Sequence, residues 1–146
     1  MEKSNLMIGD WVYSEEGFPM YVTGLFEDEA YLDFKENEGD VWEENYKDIQ
    51  PIPLEDLVFD RLGFLKIEDG GDVAFMNIVK AGNGDEFEIL LTADEFFIVK
   101  KVGDPVRNEC ILSLHRPLQS LHELQQYVRI VIGIEIAGHD LDLFKK

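Results

Sequence analysis

Short apolar runs separated by turn residues fill the first third of the chain. The runs at residues 11–13, 20–26, 31–34 and 41–43 are rich in aromatic and β-branched side chains, which predicts strands. A small unit of short antiparallel strands usually curls so that few edges stay open. The pattern therefore predicts a small antiparallel β-barrel over about residues 6–53, with Gly24 at a bend.

Two prolines end this pattern. Pro51 and Pro53 keep the chain extended and mark the expected boundary between a first domain, residues 1–53, and a second domain, residues 54–146. After the boundary, apolar residues follow a helical spacing over residues 53–62, and Gly63 provides a stop. A short helix is therefore predicted to open the second domain.

Asn83 and Gly84 give the strongest hairpin signal in the chain, because this pair suits the positive φ of a tight turn. Strands are predicted on both sides of it, at residues 74–80 and 86–91, and two more follow at 96–101 and 109–115. In the last of these, Cys110, Leu112 and Leu114 share one face. Cys110 is therefore expected to be a buried, inert thiol.

The clearest helix follows Pro117. Ser120 and Glu123 have the spacing of a capping box, an apolar stripe follows, and Gly133 offers a stop. The second domain is therefore predicted to be an α+β unit in which about four antiparallel strands carry helices on one face. The whole chain is expected to fall in the α+β class.

The C-terminal tail alternates in a different way. Leu141 and Leu143 alternate with Asp140 and Asp142 ahead of Phe144, which is the pattern of a half-buried strand. The tail is expected to dock on the second sheet, or on the same sheet of a neighbouring chain by edge addition, as a homodimer.

Charge narrows the range of partners. The 146 residues include 31 acidic and 13 basic side chains, for a formal net charge of −18, and residues 1–62 alone hold 17 acidic and 4 basic ones. Binding to nucleic-acid phosphates or to an anionic membrane needs clustered Lys and Arg. Both partners are therefore disfavoured, and a protein or peptide partner is expected. Mimicry of DNA by the acidic surface is a weaker alternative, because duplex DNA carries roughly three times the charge per area.

Cysteine usage and hydropathy indicate the compartment. Cys110 is the only cysteine, which excludes an intramolecular disulfide and any CxxC motif. The N-terminus lacks the apolar core of a signal peptide, and the longest apolar run, residues 130–134, is too short to span a bilayer. The protein is expected to be cytoplasmic.

Two sets of motifs resemble known proteins. Gly9-Asp10-Trp11-Val12, followed by Val22, Gly24 and Tyr31-Leu32-Asp33, resembles the start of SH3-like small barrels of the KOW and Tudor type. The segments Gln50-Pro51-Ile52-Pro53-Leu54 and Leu121-His122-Glu123-Leu124-Gln125 resemble a group of small uncharacterised bacterial and phage-associated proteins without an established activity. The resemblance implies the barrel-plus-helix architecture and a phage or mobile-element association, and it transfers no catalytic residue.

Catalytic motifs are incomplete. His122-Glu123 begins like the zincin HExxH motif, but Gln126 stands where the second histidine would be, so no metal site is expected. Neither a GxSxG elbow nor a glycine-rich phosphate loop occurs, and no catalytic residue or cofactor is predicted. A small hydrolase with His122, His115 and acids between the two units remains the alternative from another functional class.

Aromatic residues crowd the first unit and are the remaining candidates for recognition. Such side chains in a small barrel either fill the core or form a binding face. The candidate binding residues are Tyr13, Trp42 and Tyr46, together with His122 on the late helix. The predicted function is a non-enzymatic protein-binding module.

Overall fold

Five short strands form the first sheet of the computed structural model, which describes residues 1–34 and 40–143. The strands are β1 (Trp11–Tyr13), β2 (Pro19–Leu25), β3 (Glu29–Asp33), β4 (Trp42–Asn45) and β5 (Gln50–Pro51). All neighbours are antiparallel, in the order β4-β3-β2-β1-β5, and the sheet curls into a half barrel. The bend predicted at Gly24 coincides with a register shift between Val22 and Gly24. A 3-10 turn at Tyr46–Asp48 connects β4 to β5.

The rest of the chain forms a second antiparallel sheet with two helices. Its elements are α1 (Asp56–Arg61), β6 (Leu65–Asp69), β7 (Asp72–Lys80), β8 (Glu86–Thr92), β9 (Phe96–Val102), β10 (Arg107–Leu114) and α2 (Leu121–Val131). Strand order follows the chain, from β6 at one edge to β10 at the other. Two antiparallel sheets with segregated helices place the chain in the α+β class.

Two element predictions need correction. The second sheet has five strands rather than about four, because β6 was missed; all five of its residues are exposed at a sheet edge, so it lacks the buried face that marks other strands. The first helix covers six residues, from Asp56, because the chain before it stays extended. There the Leu54 N–H donates to Gln119 O at 3.1 Å and Pro53 pairs with Ser120.

Cys110 is exposed, so the prediction of a buried thiol is wrong. Cys110 pairs with Val99 but Leu112 pairs with Ile98, so Ile111 is an extra residue in β10. A bulge of this kind reverses the alternation of faces. Leu112 and Leu114 pack against the core, whereas Cys110 lies on the opposite face.

Three buried apolar clusters hold the fold. One lies under the first sheet, and a second lies between the second sheet and the helices. The third combines residues from both halves of the chain: Trp11, Tyr21, Ile52, Val58, Leu121 and Ala137. The division at residue 53 stays a prediction.

The C-terminal tail packs on the third cluster. Leu141 and Leu143 contact it, and Arg61 Nε donates to Asp142 O at 3.2 Å. Residues 141–143 form no strand, so the strand prediction is wrong there; the tail meets a junction of side chains instead of a sheet edge. Phe144 lies outside the described residues, and dimerisation through the tail stays a prediction.

Candidate functional site

A groove of about 910 Å³ runs along one side of α2, and we call it the α2 groove. Its lining comes from α2 and the two residues before it, from the extended chain around β5 and from the N-terminal segment. Its lining residues are Met1, Ser4, Asn5, Ile49, Gln50, Pro51, Pro53, Gln119, Ser120, His122, Glu123, Gln126, Tyr127 and Ile130. The wall is therefore a mixture of apolar surface and uncharged polar groups, with one carboxylate.

A short antiparallel ladder, with one bridge between Pro53 and Ser120, lies beside the groove and stops abruptly. The Leu121 N–H donates to Ile52 O at 2.8 Å, and the Leu54 N–H donates to Gln119 O at 3.1 Å. The ladder cannot continue toward Gln50 because the chain enters α2 immediately after Ser120. Gln50 and Pro51 stay exposed beside the helix as a result.

His122 is the most unusual side chain of the wall. It is only 8% exposed, and its Nδ1 has no hydrogen-bond partner among the described residues. Burial lowers the pKa of the imidazole below 6.5, although the carboxylates of Asp10 and Glu123 offset part of this effect. The ring is therefore held toward its neutral form, with a hydrogen-bonding atom unused.

A buried polar network fixes α2 against the first sheet. Asp10 is fully buried, and its carboxylate accepts from Gln126 Nε2 at 2.6 Å and from Arg129 Nη1 at 3.0 Å. Arg129 also pairs with Glu135. Burial raises the pKa of Asp10, with the hydrogen bonds from Gln126, the Met7 N–H and Arg129 acting in the other direction. Burial would lower the pKa of Arg129, but its bonds to Glu135 and Asp10 outweigh it.

Gln125 extends this network to the main chain. It is fully buried, its Oε1 accepts from the Trp11 N–H at 2.8 Å, and its Nε2 donates to Gly9 O at 2.9 Å. On the groove side, Gln126 Nε2 also donates to Asn5 O at 2.9 Å. Gln126 thus links α2 to the N-terminal segment, and both of these segments line the groove.

The structure does not bring the four predicted binding residues together. Of these, His122 lines the α2 groove. Tyr46 is buried under the first sheet, where its hydroxyl donates to Phe26 O at 2.5 Å. Trp42 is half-buried against Phe18, with ring centroids 5.9 Å apart. Tyr13 is half-buried beside the third cluster. Their roles in binding stay predictions.

Several groove residues were missed from the sequence. Gln50, Asn5 and Tyr127 come from three distant segments, and no local pattern marks them. Ile130 did carry a signal: it is an apolar residue off the buried stripe of α2, and it is 71% exposed. An apolar side chain outside the stripe of an amphipathic helix could have pointed to this surface.

A cluster of acids lies elsewhere, on the first sheet. Ligand oxygens of Glu15, Glu44 and Asp48 lie within 4.8 Å of one another. Burial raises the pKa of Glu44, and the nearby acids add to the shift, whereas the Glu15 N–H opposes it. Exposed carboxylates often group in this way on an acidic surface, so the cluster alone does not define a metal site.

Comparison with protein-family models, with curated proteins and with solved structures found no match to this chain. Within the described residues, no helix has the length and apolar character needed to cross a membrane.

Proposed function

We propose that the protein is a non-enzymatic binding module that holds an extended segment of a protein partner in the α2 groove. The observation that carries this proposal is the groove itself, whose lining combines apolar surface with uncharged polar side chains and includes the imidazole of His122. Binding sites are typically concavities of roughly 300–1,000 Å³ with a few polar groups in a largely apolar wall.

The interrupted ladder supports an extended occupant. A partner strand laid beside Gln50 and Pro51 continues the pairing that Gln119 to Leu121 begin with Ile52 to Leu54. Because Pro51 and Pro53 lack an N–H, the available backbone bonds are few. Side chains in the groove must therefore supply most of the selectivity.

Charge supports a basic partner. Residues 1–62 carry 17 acidic side chains against 4 basic ones, whereas Glu123, the one carboxylate that lines the groove, is already paired with Arg116 at 3.2 Å. A field of this sign attracts Lys- and Arg-bearing segments and repels nucleic-acid phosphates. The first sheet is further proposed to be an SH3-like barrel, which its strand order and its 3-10 turn before β5 support. The proposed cytoplasmic, phage-associated setting rests on the sequence resemblance and the cysteine usage.

The geometry favours binding over hydrolysis. A nucleophilic site needs a hydroxyl bonded to a base that a third group orients. The Ser120 hydroxyl instead donates to Glu123 at 3.4 Å, and no described residue orients His122 through Nδ1. His115 Nδ1 lies 3.0 Å from Glu95 on an exposed part of the second unit.

A peptide array tests this function. The probes are immobilised octapeptides in three matched sets that carry Lys, Ser or Glu at two positions. The Lys set should bind best, and binding should weaken as salt is added. Ile130→Lys places a cation on the groove rim, at a residue 71% exposed, and should weaken binding at least ten-fold.

Val106→Lys is the matched control, because Val106 is 68% exposed in the turn between β9 and β10. The substitution adds the same charge as Ile130→Lys. It should bind as the wild type does. Failure of all three sets to bind, or equal binding by the wild type and Ile130→Lys, would refute the proposal.

A further inference from the structure

The core between the second sheet and its helices contains a cavity at one end of the sheet. Phe75 and Leu91 are paired on β7 and β8, and both pack toward the helices. Phe59 reaches the same place from α1, and Leu118 reaches it from the segment before α2. These four side chains line a cavity of about 270 Å³, which we call the sheet-end pocket.

The lining of the sheet-end pocket is apolar, and no charged side chain belongs to it among the described residues. Thr92 supplies its one hydroxyl. That hydroxyl donates to Glu95 O at 3.4 Å and accepts from the N–H groups of Asp94 and Glu95 at 3.3 and 3.0 Å. Since the turn already uses this hydroxyl, the side chains of the pocket offer a ligand apolar contact and little else.

Aromatic rings form part of the lining. Phe59 and Phe75 stack with their ring centroids 3.9 Å apart and 9° between their planes, and Phe64 meets Phe59 edge-on at 5.4 Å. Aromatic rings favour offset or edge-to-face contact with a further ring. A rigid ring also loses less conformational freedom on binding than a flexible chain does. The pocket therefore favours a planar aromatic ligand.

The volume of the pocket limits the size of this ligand. An apolar cavity of roughly 150 Å³ takes up benzene, whereas sites for drug-sized molecules begin at roughly 300 Å³. A cavity of about 270 Å³ lies between these values and fits one or two fused rings. Phe59, Leu91 and Leu118 are at most 7% exposed, so a ligand among them contacts core side chains and is removed from water.

We propose that the sheet-end pocket binds a neutral, planar aromatic molecule of one or two fused rings. The site is separate from the α2 groove, because the two share no lining residue. It excludes charged ligands because its lining supplies no charge that could replace their hydration. The formal net charge of −18 adds a long-range repulsion of anions.

Naphthalene and 1-naphthoate test the proposal, because they share one ring system and differ by a carboxylate. Binding is followed in NMR spectra of the full chain labelled on its Val, Leu and Ile methyl groups. Naphthalene should shift the signals of Val73, Leu91 and Leu118 until they saturate. The signals of Ile130 in the α2 groove and of Ile78, which is 51% exposed on β7, should stay in place. 1-Naphthoate should bind at least about ten-fold more weakly.

Two substitutions in the lining should block the pocket. Val73 lines it and is 36% exposed, so Val73→Trp places a larger side chain there from a partly exposed position. Ala93→Phe does the same from the exposed turn between β8 and β9. Each should weaken naphthalene binding at least about ten-fold, because the added ring takes the place of the probe. Val106→Trp is the matched control, since Val106 is 68% exposed in the turn between β9 and β10, and it should bind naphthalene as the wild type does.

The proposal is overturned if naphthalene gives no saturable shift, or if the two probes bind equally well. Unchanged binding by both Val73→Trp and Ala93→Phe would also overturn it. Shifts confined to Ile130 or Ile78 would place the probe on another surface, with the same conclusion. Peptide binding in the α2 groove should be equal for Val73→Trp and the wild type, so each site is tested independently.

Discussion

Two residues of α2, three positions apart, show how burial changes polar chemistry in this protein. Gln125 is fully buried, and its two amide atoms find partners on the main chain at Trp11 and Gly9. His122 is nearly as buried, yet its Nδ1 finds none among the described residues. Gln125 holds the helix in place, because loss of its side chain would leave the buried Trp11 N–H and the partly buried Gly9 carbonyl without these partners. His122 keeps an unsatisfied atom beside the α2 groove.

His122 should make stability depend on pH. Burial lowers its pKa in the folded protein below the ordinary 6.5, so the unfolded chain takes up a proton first as pH falls. The contribution of neutral His122 to the free energy of unfolding is therefore complete above pH 6.5. It is lost as the pH falls from 6.5 toward the lowered pKa of the folded protein. In this range, His122 changes the free energy of unfolding by at most about 1.4 kcal/mol per pH unit.

Urea unfolding between pH 5 and 8 measures this slope, and His122→Gln should reduce it. Comparison of the variant with the wild type cancels the carboxyl groups, including Asp10, whose raised pKa acts in the opposite sense. Equal slopes for the two proteins would show that His122 titrates alike in the folded and unfolded chains.

Among the secondary-structure elements, the sequence predicted those that depend on short-range patterns, such as turns, strands with one buried face and an amphipathic helix. The Asn83-Gly84 hairpin, the later strands and α2 with its stop at Gly133 are confirmed within a few residues, because turn chemistry and periodicity act over short distances. β6 was missed because an exposed edge strand buries no face. The bulge at Ile111 was missed because one inserted residue leaves little trace in a pattern, although it turns Cys110 outward.

The attachment of α2 to the first sheet rests on long-range pairs, and it can be measured. Arg129→Met leaves the carboxylate of Asp10 buried without its ion-pair partner, and this loss should cost about 3–5 kcal/mol of unfolding free energy. Arg116→Met is the matched control, because Arg116 pairs with Glu123 at 3.2 Å on the exposed side of the helix. Exposed pairs contribute little, so its unfolding curve should nearly overlay that of the wild type. Similar losses for the two variants would show that the Asp10 pair is not specially important.

At the scale of the molecule, the candidate site depends on how distant segments meet. The α2 groove needs residues near positions 1–5, 49–53 and 119–130 at once, and the Asp10–Arg129 pair spans 119 positions. A sequence pattern shows that Ile52 and Leu121 are apolar but not that they share a cluster. His122 was predicted from its place on the helix, whereas the opposite wall of the groove emerges only from packing.

The third cluster should make the two halves of the chain unfold together. Trp11, Ile52 and Leu121 are at most 1% exposed and meet where the first sheet contacts α2, so separating the halves would expose all three. Each such side chain is worth roughly 1.5–3 kcal/mol of burial, a large part of the stability of a small domain.

Urea unfolding should therefore give one transition, with the same midpoint by tryptophan fluorescence and by far-ultraviolet circular dichroism. Both tryptophans belong to the first sheet, whereas the dichroism signal includes the second sheet and both helices. Leu121→Ala, made in the second half, should lower the free energy of unfolding by about 2–5 kcal/mol. Both midpoints should therefore move to lower urea concentration together. A variant in which fluorescence keeps its wild-type midpoint while dichroism shifts would show that the halves fold independently, and that residue 53 is a true domain boundary.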